Sequence, residues 1–267
     1  MVAATAPLGA AVLEGLVSRH EVELVVTRPD RPQGRGRKVG APPAKEAAER
    51  LAIPVIQPER LAEAPGSAGT IVVCAYGVLI PTALLEERLW LNVHPSLLPR
   101  WRGAAPVERA LIAGDRETGV TIHRTTAKLD AGPIAAQQAF PIGPDDDAGL
   151  VYERAAALAV DLLDEVLPEP SFAPQPEEGV SYAERITAAD RELDWSQPVD
   201  EILNRVRALS PHIGARGVVG GRTLTIWRAG RAAPGAALVV DGVELVEVQP
   251  DGRRQMTGAE YLRGLRA

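Results

Sequence analysis

The run Leu89-Trp-Leu-Asn-Val-His-Pro95 decides the fold class of the N-terminal part of this chain. Its apolar residues predict a buried strand over 89–93, and Pro95 ends the strand because proline has no N–H for the sheet. Alternate side chains of a strand share one face, so Asn92 and His94 point the same way at its carboxyl end. Ligands bind beyond this edge in open α/β sheets, and the run therefore predicts a site as well as a strand.

Similar apolar, β-branched runs lie on both sides of this one and alternate with segments of helical periodicity. Further strands are predicted at 2–5, 22–27, 70–75, 119–124 and 134–141. Helices are predicted at 8–19, 44–51, 81–86, 106–113 and 148–166. This alternation is typical of βαβ units, and it predicts an α/β fold with a doubly wound, mostly parallel sheet.

The composition changes after these elements. Residues 167–179 contain four prolines and predict an extended linker. Beyond them, a helix is predicted over 199–209, followed by short strands with glycine turns at 217–219, 224–228, 237–240 and 244–248. Such closely spaced strands are typical of a small antiparallel barrel or meander. We therefore expect a first domain, a linker and a C-terminal domain over 1–167, 168–180 and 181–267.

The composition excludes several classes of protein. The 267 residues carry a net charge of −6, and 46% of them are hydrophobic, as in ordinary globular proteins. The single cysteine, Cys74, cannot build a disulfide framework or a cysteine zinc site. The four histidines lie far apart without a metalloenzyme spacing, so we expect no metal. No apolar run is long enough for a bilayer and no basic segment precedes the first one, so we expect a cytoplasmic protein without membrane contact.

Positive charge is concentrated in two stretches of the sequence. Residues 28–38 hold five basic residues and one acid, and residues 202–231 hold six arginines and no acid. Basic surfaces of this kind can bind nucleic-acid phosphates. The alternative is that both stretches are simply solvated surface.

The polar pair at the predicted strand end has the chemistry of acyl transfer to an amine. Attack by an amine on a carbonyl creates an oxyanion, which Asn92 can stabilise by donating a hydrogen bond and which His94 can stabilise if it is protonated. Asp130, in Lys128-Leu-Asp-Ala-Gly132, is the candidate carboxylate that raises the pKa of His94. The alternative is that Asn92 and His94 only cap the strand.

Several motifs resemble the 10-formyltetrahydrofolate-dependent formyltransferases. The resemblance is carried mainly by Asn92-Val-His-Pro-Ser-Leu-Leu-Pro-Arg-Trp-Arg-Gly-Ala-Ala-Pro106 and by Leu129-Asp-Ala-Gly132. It extends to Thr27-Arg-Pro-Asp-Arg-Pro-Gln-Gly-Arg-Gly-Arg-Lys38, to Ala75-Tyr-Gly-Val-Leu-Ile-Pro81 and to Asp194-Trp195. Together these motifs cover most of residues 1–230.

The resemblance implies a Rossmann-like formyltransferase domain and a shortened C-terminal β-barrel similar to an OB fold. It implies transfer of the formyl group of 10-formyltetrahydrofolate to the free α-amine of methionyl initiator tRNA. We expect this reaction to need no metal, and we expect the protein to be a monomer. Matching positions imply a catalytic trio of Asn92, His94 and Asp130, a folate-binding segment of Ser96, Leu97, Leu98 and Pro99, and a tRNA-binding set of Arg35, Arg37 and Lys38.

The sequence departs from the family pattern at Ala4-Thr-Ala-Pro7, at Lys128 and near residues 229–236, where the C-terminal domain is shorter. Two other functions stay open. A formyltransferase acting on an amino sugar or another small amine would use the same trio but would not need the basic stretches. A non-catalytic nucleic-acid-binding protein would leave Asn92, His94 and Asp130 scattered in space.

Overall fold

The computed structural model describes residues 1–33, 38–62 and 65–266. It divides into two compact units, each built from several stretches of the chain and each with its own apolar core. Unit 1 contains Met1–Arg102, Gly119–Phe140 and Tyr152–Tyr182. Unit 2 contains Gly103–Thr118, Pro141–Val151 and Ala183–Ala267.

The strands and helices of the described residues are numbered in chain order. The strands are β1 (Val2–Ala4), β2 (Val25–Val26), β3 (Arg31–Gln33), β4 (Lys38–Gly40), β5 (Val55–Ile56), β6 (Thr70–Cys74), β7 (Leu89–His94), β8 (Arg102–Gly103), β9 (Glu117–Arg124), β10 (Ile134–Pro141), β11 (Tyr182–Ala183), β12 (Ala215–Val219), β13 (Arg222–Arg231), β14 (Val239–Val240), β15 (Val243–Pro250) and β16 (Met256–Thr257). The helices are α1 (Pro7–Val17), α2 (Pro43–Arg50), α3 (Thr82–Glu87), α4 (Pro106–Ile112), α5 (Ala148–Val166), α6 (Ala188–Arg191), α7 (Val199–Leu209) and α8 (Gly258–Arg266).

The sheet of unit 1 has seven strands in the order β10-β9-β7-β6-β1-β2-β5. The five strands from β7 to β5 run parallel, and β9 pairs antiparallel with β7. The chain moves outward from β1 to β5 and then from β6 to β7 on the other side, so the strand order reverses between β1 and β6. Open α/β sheets bind ligands at such a switch point. The expected doubly wound, mostly parallel sheet is confirmed.

Helix α1 begins directly after β1 and packs closely against the middle of this sheet. Its apolar side chains are buried in the core of unit 1. Gly9 allows the close approach, because a Cβ there would lie 2.5 Å from the Cys74 carbonyl oxygen and 2.7 Å from the Ala4 Cβ. The Cys74 side chain is fully buried, which raises the pKa of its thiol to about 12.

The segment around the first basic stretch differs from the prediction. The strand predicted over 22–27 is reduced to β2, because its neighbour β5 offers only two residues for pairing. No strand is predicted for the basic stretch, but its residues 31–33 form β3 and its last residue, Lys38, begins β4. The two strands pair antiparallel, with Arg31 opposite Gly40. An apolar pattern indicates that a strand can form, but the length of the paired neighbour decides how far it extends.

The sheet of unit 2 is antiparallel and curls into a half-barrel. β13 lies between β12 and β15, and β14 and β16 pair with opposite ends of β15. Register shifts between Ile226 and Ala229 interrupt the ladder of β13, and such irregularities bend a strand. Helix α7 packs on the sheet, and its buried side chains share one core with those of β13 and β15. The expected C-terminal domain similar to an OB fold is confirmed.

Strand β16 and helix α8 follow the last predicted strand and are missing from the prediction. The Thr257 N–H donates to Glu260 Oε2 at 2.8 Å, and the Glu260 N–H donates to Thr257 Oγ1 at 3.2 Å. This reciprocal capping is encoded by Thr-x-x-Glu at a helix start. The sequence Thr257-Gly-Ala-Glu260 therefore contained the signal for α8.

No helix within residues 1–33, 38–62 and 65–266 is both long enough and apolar enough to cross a membrane.

The close packing of α1 gives a stability prediction. We expect Gly9→Ala to lower the free energy of unfolding by about 1–3 kcal/mol, because the added methyl group must push α1 away from the backbone of β1 and β6. Urea denaturation followed by circular dichroism measures this change. Gly264→Ala in α8 is the matched control, since nothing lies within 4 Å of its Cβ position. Helix propensity alone should make this control more stable by about 0.5–1 kcal/mol, and equal effects of both substitutions would contradict the packing.

Candidate active site

Asn92 and His94 lie at the carboxyl end of β7, in the interior of the sheet. The chain turns directly after His94, and the Ser96 N–H donates to the His94 carbonyl oxygen at 2.9 Å. Asn92 is half-buried, and His94 is 4% exposed. Since β6 and β9 pair with β7 on either side, the backbone that carries both side chains is fixed by hydrogen bonds.

Asp130 lies in the turn between β9 and β10. Its backbone is left-handed, with a φ of 44°, which aspartate tolerates better than most residues. Gly132 is required two residues later, because any Cβ there would collide with the backbone carbonyl oxygen of Arg124. The Arg124 N–H donates to the Pro133 carbonyl oxygen at 2.9 Å and closes the turn. This tight turn brings the Asp130 carboxylate to β7.

The three residues of the predicted catalytic trio come together. The Asn92 Nδ2–H donates to Asp130 Oδ1 at 3.3 Å, and His94 Nδ1 lies 3.7 Å from Asp130 Oδ2. The Asp130 side chain is only 12% exposed. A non-catalytic nucleic-acid-binding protein would leave these three side chains scattered in space. They lie together instead, which argues against that alternative.

A second histidine completes this cluster. His123 on β9 pairs with Asn92 on β7, and its Nε2 lies 3.0 Å from Asn92 Nδ2. Its Nδ1 faces the Arg124 carbonyl oxygen at 3.1 Å. Because a carbonyl oxygen only accepts, the hydrogen-bond network assigns the proton to Nδ1 and leaves Nε2 to accept from Asn92. His123 Nε2 also lies 3.6 Å from Asp130 Oδ1.

The hydrogen bonds of Asn92 fix the orientation of its amide. One Nδ2 hydrogen is directed to His123 and the other to Asp130, at the longer distance of the two. The exchanged orientation would place the amide oxygen against the carboxylate, so the nitrogen faces Asp130. A substrate oxygen that approaches Asn92 can therefore share the hydrogen now directed to Asp130.

His94 is held in one tautomer and is uncharged at neutral pH. Its Nε2 lies 2.8 Å from the Trp101 carbonyl oxygen, so Nε2 carries the proton. Burial lowers the pKa of His94 from its ordinary value, and this effect outweighs the Asp130 carboxylate and the Trp101 carbonyl, which both raise it. The expected sign of the Asp130 effect is correct, but the net direction is the opposite of a protonated histidine. His94 Nδ1 therefore presents a lone pair.

The residues expected to bind folate form a turn directly after β7. Ser96 is fully buried, and its hydroxyl donates to the Arg100 carbonyl oxygen at 2.7 Å. Leu98 is 2% exposed, whereas Leu97 and Pro99 are half-buried. The side chains of Ser96 and Leu98 thus maintain the turn, and those of Leu97 and Pro99 are the accessible ones.

Trp101 ends this turn with a left-handed backbone, at a φ of 63°. Its N–H donates to Ser181 Oγ at 3.0 Å, which fixes the carbonyl that holds His94. The Arg100 guanidinium lies over the indole ring, 4.4 Å from its centroid. The backbone of Trp101 thus orients His94, and Arg100 covers one face of its ring.

The residues expected to bind tRNA are described only in part. Arg35 and Arg37 lie outside the described residues, and Lys38 is described only as the first residue of β4. The second basic stretch belongs to unit 2, where three of its arginines pair with acids from other parts of the sequence. These pairs are Arg216–Asp251 at 3.3 Å, Arg228–Glu247 at 3.1 Å and Arg231–Asp200 at 2.5 Å.

Two segments of the chain match known protein families. Residues 1–167 match the formyl transferase family, and residues 185–266 match the formyl transferase C-terminal domain. The chain belongs to the formyl transferase family. It is 41% identical over 277 residues to the methionyl-tRNA formyltransferase of Paracoccus denitrificans, with 95% of this chain and 93% of the relative covered. It is 40% identical over 295 residues to that of Heliobacterium modesticaldum, with the same coverage of 95% and 93%.

Solved structures share the fold of this formyl transferase. The N-formyltransferase from Helicobacter canadensis, solved with folinic acid and dTDP-3-aminofucose, has a TM-score of 0.67 at 18% identity and covers 96% of this chain and 97% of its own. HypX from Aquifex aeolicus, solved with tetrahydrofolic acid, has a TM-score of 0.59 at 21% identity and covers 73% of this chain. This chain spans 38% of the length of HypX. At such identities the likeness shows the fold alone.

His123 is a residue of this polar cluster that the sequence does not predict. The strand that carries it is predicted, but its antiparallel pairing with β7 is not, and the pairing is what places His123 opposite Asn92. A polar side chain near the end of an otherwise buried strand was the available signal. Within the described part of the chain, no group of three His, Cys, Asp or Glu side chains is arranged to hold a metal ion.

The state of His94 can be measured directly. We expect the NMR titration midpoint of its imidazole to lie below 6.5, its ordinary value, because burial disfavours the charged form. Asp130→Asn removes the carboxylate that opposes burial, so the midpoint should move to still lower pH. Histidine labelled with ¹³C at Cε1 gives the signals. An upward shift in the Asp130→Asn variant would contradict this account.

Proposed function

We propose that this formyl transferase moves the formyl group of 10-formyltetrahydrofolate to the free α-amine of methionyl initiator tRNA, for translation initiation. The observation that carries the proposal is the likeness to methionyl-tRNA formyltransferases along 95% of the chain. The polar cluster at the end of β7 supplies side chains suited to this chemistry.

Asn92, His94 and Asp130 are the proposed catalytic residues. The α-amine of an amino ester is less basic than a lysine amine, so near neutral pH it is more readily available in the unprotonated form that attacks the formyl carbon without an enzyme nucleophile. Asn92 Nδ2–H stabilises the oxyanion that forms, by donating the hydrogen that it otherwise shares with Asp130. His94 accepts the proton of the attacking amine on Nδ1, the nitrogen with the lone pair. The resulting imidazolium lies beside the Asp130 carboxylate, which stabilises it, and it faces the oxyanion as a second donor.

The same proton completes the reaction. The tetrahedral intermediate re-forms its C=O bond and breaks the bond between the formyl carbon and N10. N10 leaves with the electron pair and needs one proton, which His94 returns from Nδ1. His94 ends uncharged, and the products are formylmethionyl-tRNA and tetrahydrofolate. Asp130 changes neither its covalent bonds nor its charge in these steps.

The formyl donor is proposed to bind beside the turn that follows β7. Leu97 and Pro99 are the residues of this turn with accessible side chains, and Ser96 and Leu98 maintain its shape. Two proteins with this fold were solved with tetrahydrofolic acid and with folinic acid, which supports a folate as the formyl donor.

The acceptor tRNA is proposed to contact Arg35, Arg37 and Lys38. These residues lie in the stretch with five basic residues and one acid, and phosphate contacts need such charge. We propose that the protein acts in the cytoplasm as a monomer. The proposed division of labour is a catalytic domain, a proline-rich linker and a tRNA-binding domain over 1–167, 168–180 and 181–267.

A small amine is the alternative acceptor. The structure from Helicobacter canadensis, solved with a dTDP-amino sugar, covers nearly the whole chain. Its sequence identity of 18% is less than half of the 41% found with the methionyl-tRNA formyltransferase of Paracoccus denitrificans. One diphosphate of a nucleotide-linked amino sugar also gives less reason for five basic residues within 28–38 than the phosphates of a tRNA do, so the tRNA acceptor is the better supported of the two.

The role of Asn92 can be tested by substitution. We expect Asn92→Ala to lower kcat by about 10²–10³-fold, because an oxyanion donor acts mainly in the transition state. The rise in Tm that folinic acid induces should stay close to that of the wild type, since donor binding does not require the amide. Asn204→Ala, the same substitution in α7 of unit 2, is the matched control and should retain kcat. A near-normal kcat in Asn92→Ala would eliminate this mechanism.

The acceptor can be tested through Arg35. We expect Arg35→Ala to raise the KM for methionyl-tRNA and to leave the KM for 10-formyltetrahydrofolate unchanged. It should also reduce the slope of log KM against log salt by roughly one unit, as expected when one phosphate contact with a duplex is lost. Steady-state kinetics at several salt concentrations measures both effects.

Arg50→Ala provides the control for Arg35→Ala. It removes one positive charge from an exposed side chain of α2 and should leave the salt slope unchanged. If Arg35→Ala raised the KM for both substrates equally, residues 28–38 would support the folate site instead. No loss for tRNA, together with formylation of a dTDP-amino sugar by the wild type, would favour the small-amine function.

A further inference from the structure

The proline-rich segment that follows α5 packs against the turn that carries Asp130. Ala173 forms an antiparallel bridge with Ile134, the first residue of β10. The Ile134 N–H donates to the Ala173 carbonyl oxygen at 2.7 Å, and the Ala173 N–H donates to that of Ile134 at 2.9 Å. This bridge fixes the backbone two residues before Gln175.

The Gln175 side chain uses every hydrogen-bonding position of its amide. Its Nε2 donates to the Asp130 carbonyl oxygen and to the Gly132 carbonyl oxygen, both at 2.8 Å. Its Oε1 accepts from Arg102 Nε at 3.1 Å and from Arg102 Nη2 at 2.6 Å. Exchange of nitrogen and oxygen would set donors against donors and acceptors against acceptors, so the orientation is unambiguous.

These bonds connect the two segments that set the geometry of His94 and Asp130. On one side, Gln175 binds the backbone of a turn whose central residue, Asp130, is left-handed. On the other side it binds Arg102, which directly follows Trp101. The Trp101 carbonyl oxygen holds His94 Nε2. The contacts of Gln175 with the turn are to backbone oxygens, so through the turn it acts on chemistry by setting the position of the Asp130 carboxylate.

We propose that Gln175 is a positioning residue for formyl transfer, which holds the 130–132 turn so that the Asp130 carboxylate stays within reach of Asn92 and His94. This inference rests on the proposed function, formyl transfer to methionyl-tRNA. The segment predicted as a plain linker thus contributes to the active site of unit 1.

Gln175→Met tests this proposal with a neutral side chain of similar length that cannot donate to the two carbonyl oxygens. We expect kcat to fall by roughly 10–100-fold, since small displacements of a catalytic group have effects of this size. The KM values for methionyl-tRNA and for 10-formyltetrahydrofolate should stay within about twofold of the wild type, because the Gln175 amide already uses all of its hydrogen-bonding positions within the chain. Glu178→Gln, an exposed position in the same segment, is the matched control and should change neither parameter.

A double-mutant cycle separates positioning from general stability. If Gln175 acts through Asp130, Gln175→Met should cost less than about twofold in kcat when it is added to Asp130→Asn. If Gln175→Met lowered kcat by the same factor in the wild type and in Asp130→Asn, the proposal would be overturned. An unchanged kcat in Gln175→Met would overturn it as well. If Gln175→Met does not fold, Gln175→Ala is measured in the same cycle with the same expected outcomes.

The titration of His94 gives a readout that needs no activity. In the substrate-free protein, loss of the nearby carboxylate should lower the NMR midpoint of His94 in Gln175→Met, as in Asp130→Asn. General loosening would instead expose the imidazole and raise the midpoint toward its ordinary value, which would overturn the proposal. A wild type that fails to formylate methionyl-tRNA would refute the proposed function, whereas the His94 midpoint would still decide whether Gln175 holds Asp130.

Discussion

The proposed active site depends on one largely buried carboxylate, that of Asp130. A carboxylate that is largely withdrawn from water needs hydrogen-bond donors, and Asn92 provides one from β7. This placement requires a left-handed backbone at Asp130 and a glycine at position 132, where no Cβ fits. The strand pairing of β7 and β9, the composition of the turn and the contact with Gln175 all serve this one constraint.

The placement of Asp130 also explains why a buried, uncharged histidine is useful. The carboxylate lies near His94 Nδ1 but does not overcome the effect of burial on the pKa of His94. In the proposed mechanism, His94 is therefore free to accept a proton at neutral pH, and the carboxylate stabilises the imidazolium that forms. A histidine that was already protonated could donate to the oxyanion but could not remove the proton of the attacking amine.

Much of the fold could be predicted because many elements are set by local pattern. The predicted limits of β10, α5 and α7 agree with the structure to the residue. Apolar periodicity is strong in the two helices. The trio was found from a strand end and a short motif. His123 and Gln175 were missed because their roles depend on which segments lie side by side, and a single sequence does not show pairing between β7 and β9 or between Ala173 and Ile134.

The effect of a charged side chain, like the pairing of two strands, depends on which residues lie beside it in space. Residues 202–231 contain no acid, yet Arg216, Arg228 and Arg231 are paired with acids from before and after that stretch. An arginine that is paired in this way must exchange a carboxylate for a phosphate when it binds RNA, which reduces the net gain. Within 28–38 there is one acid, Asp30, and its carboxylate is bound by Lys45 at 2.8 Å from outside the stretch. The one acid of this first stretch is thus already paired with a residue outside it. Under the proposed function, Arg35 rather than an arginine of unit 2 therefore carries the test of the acceptor.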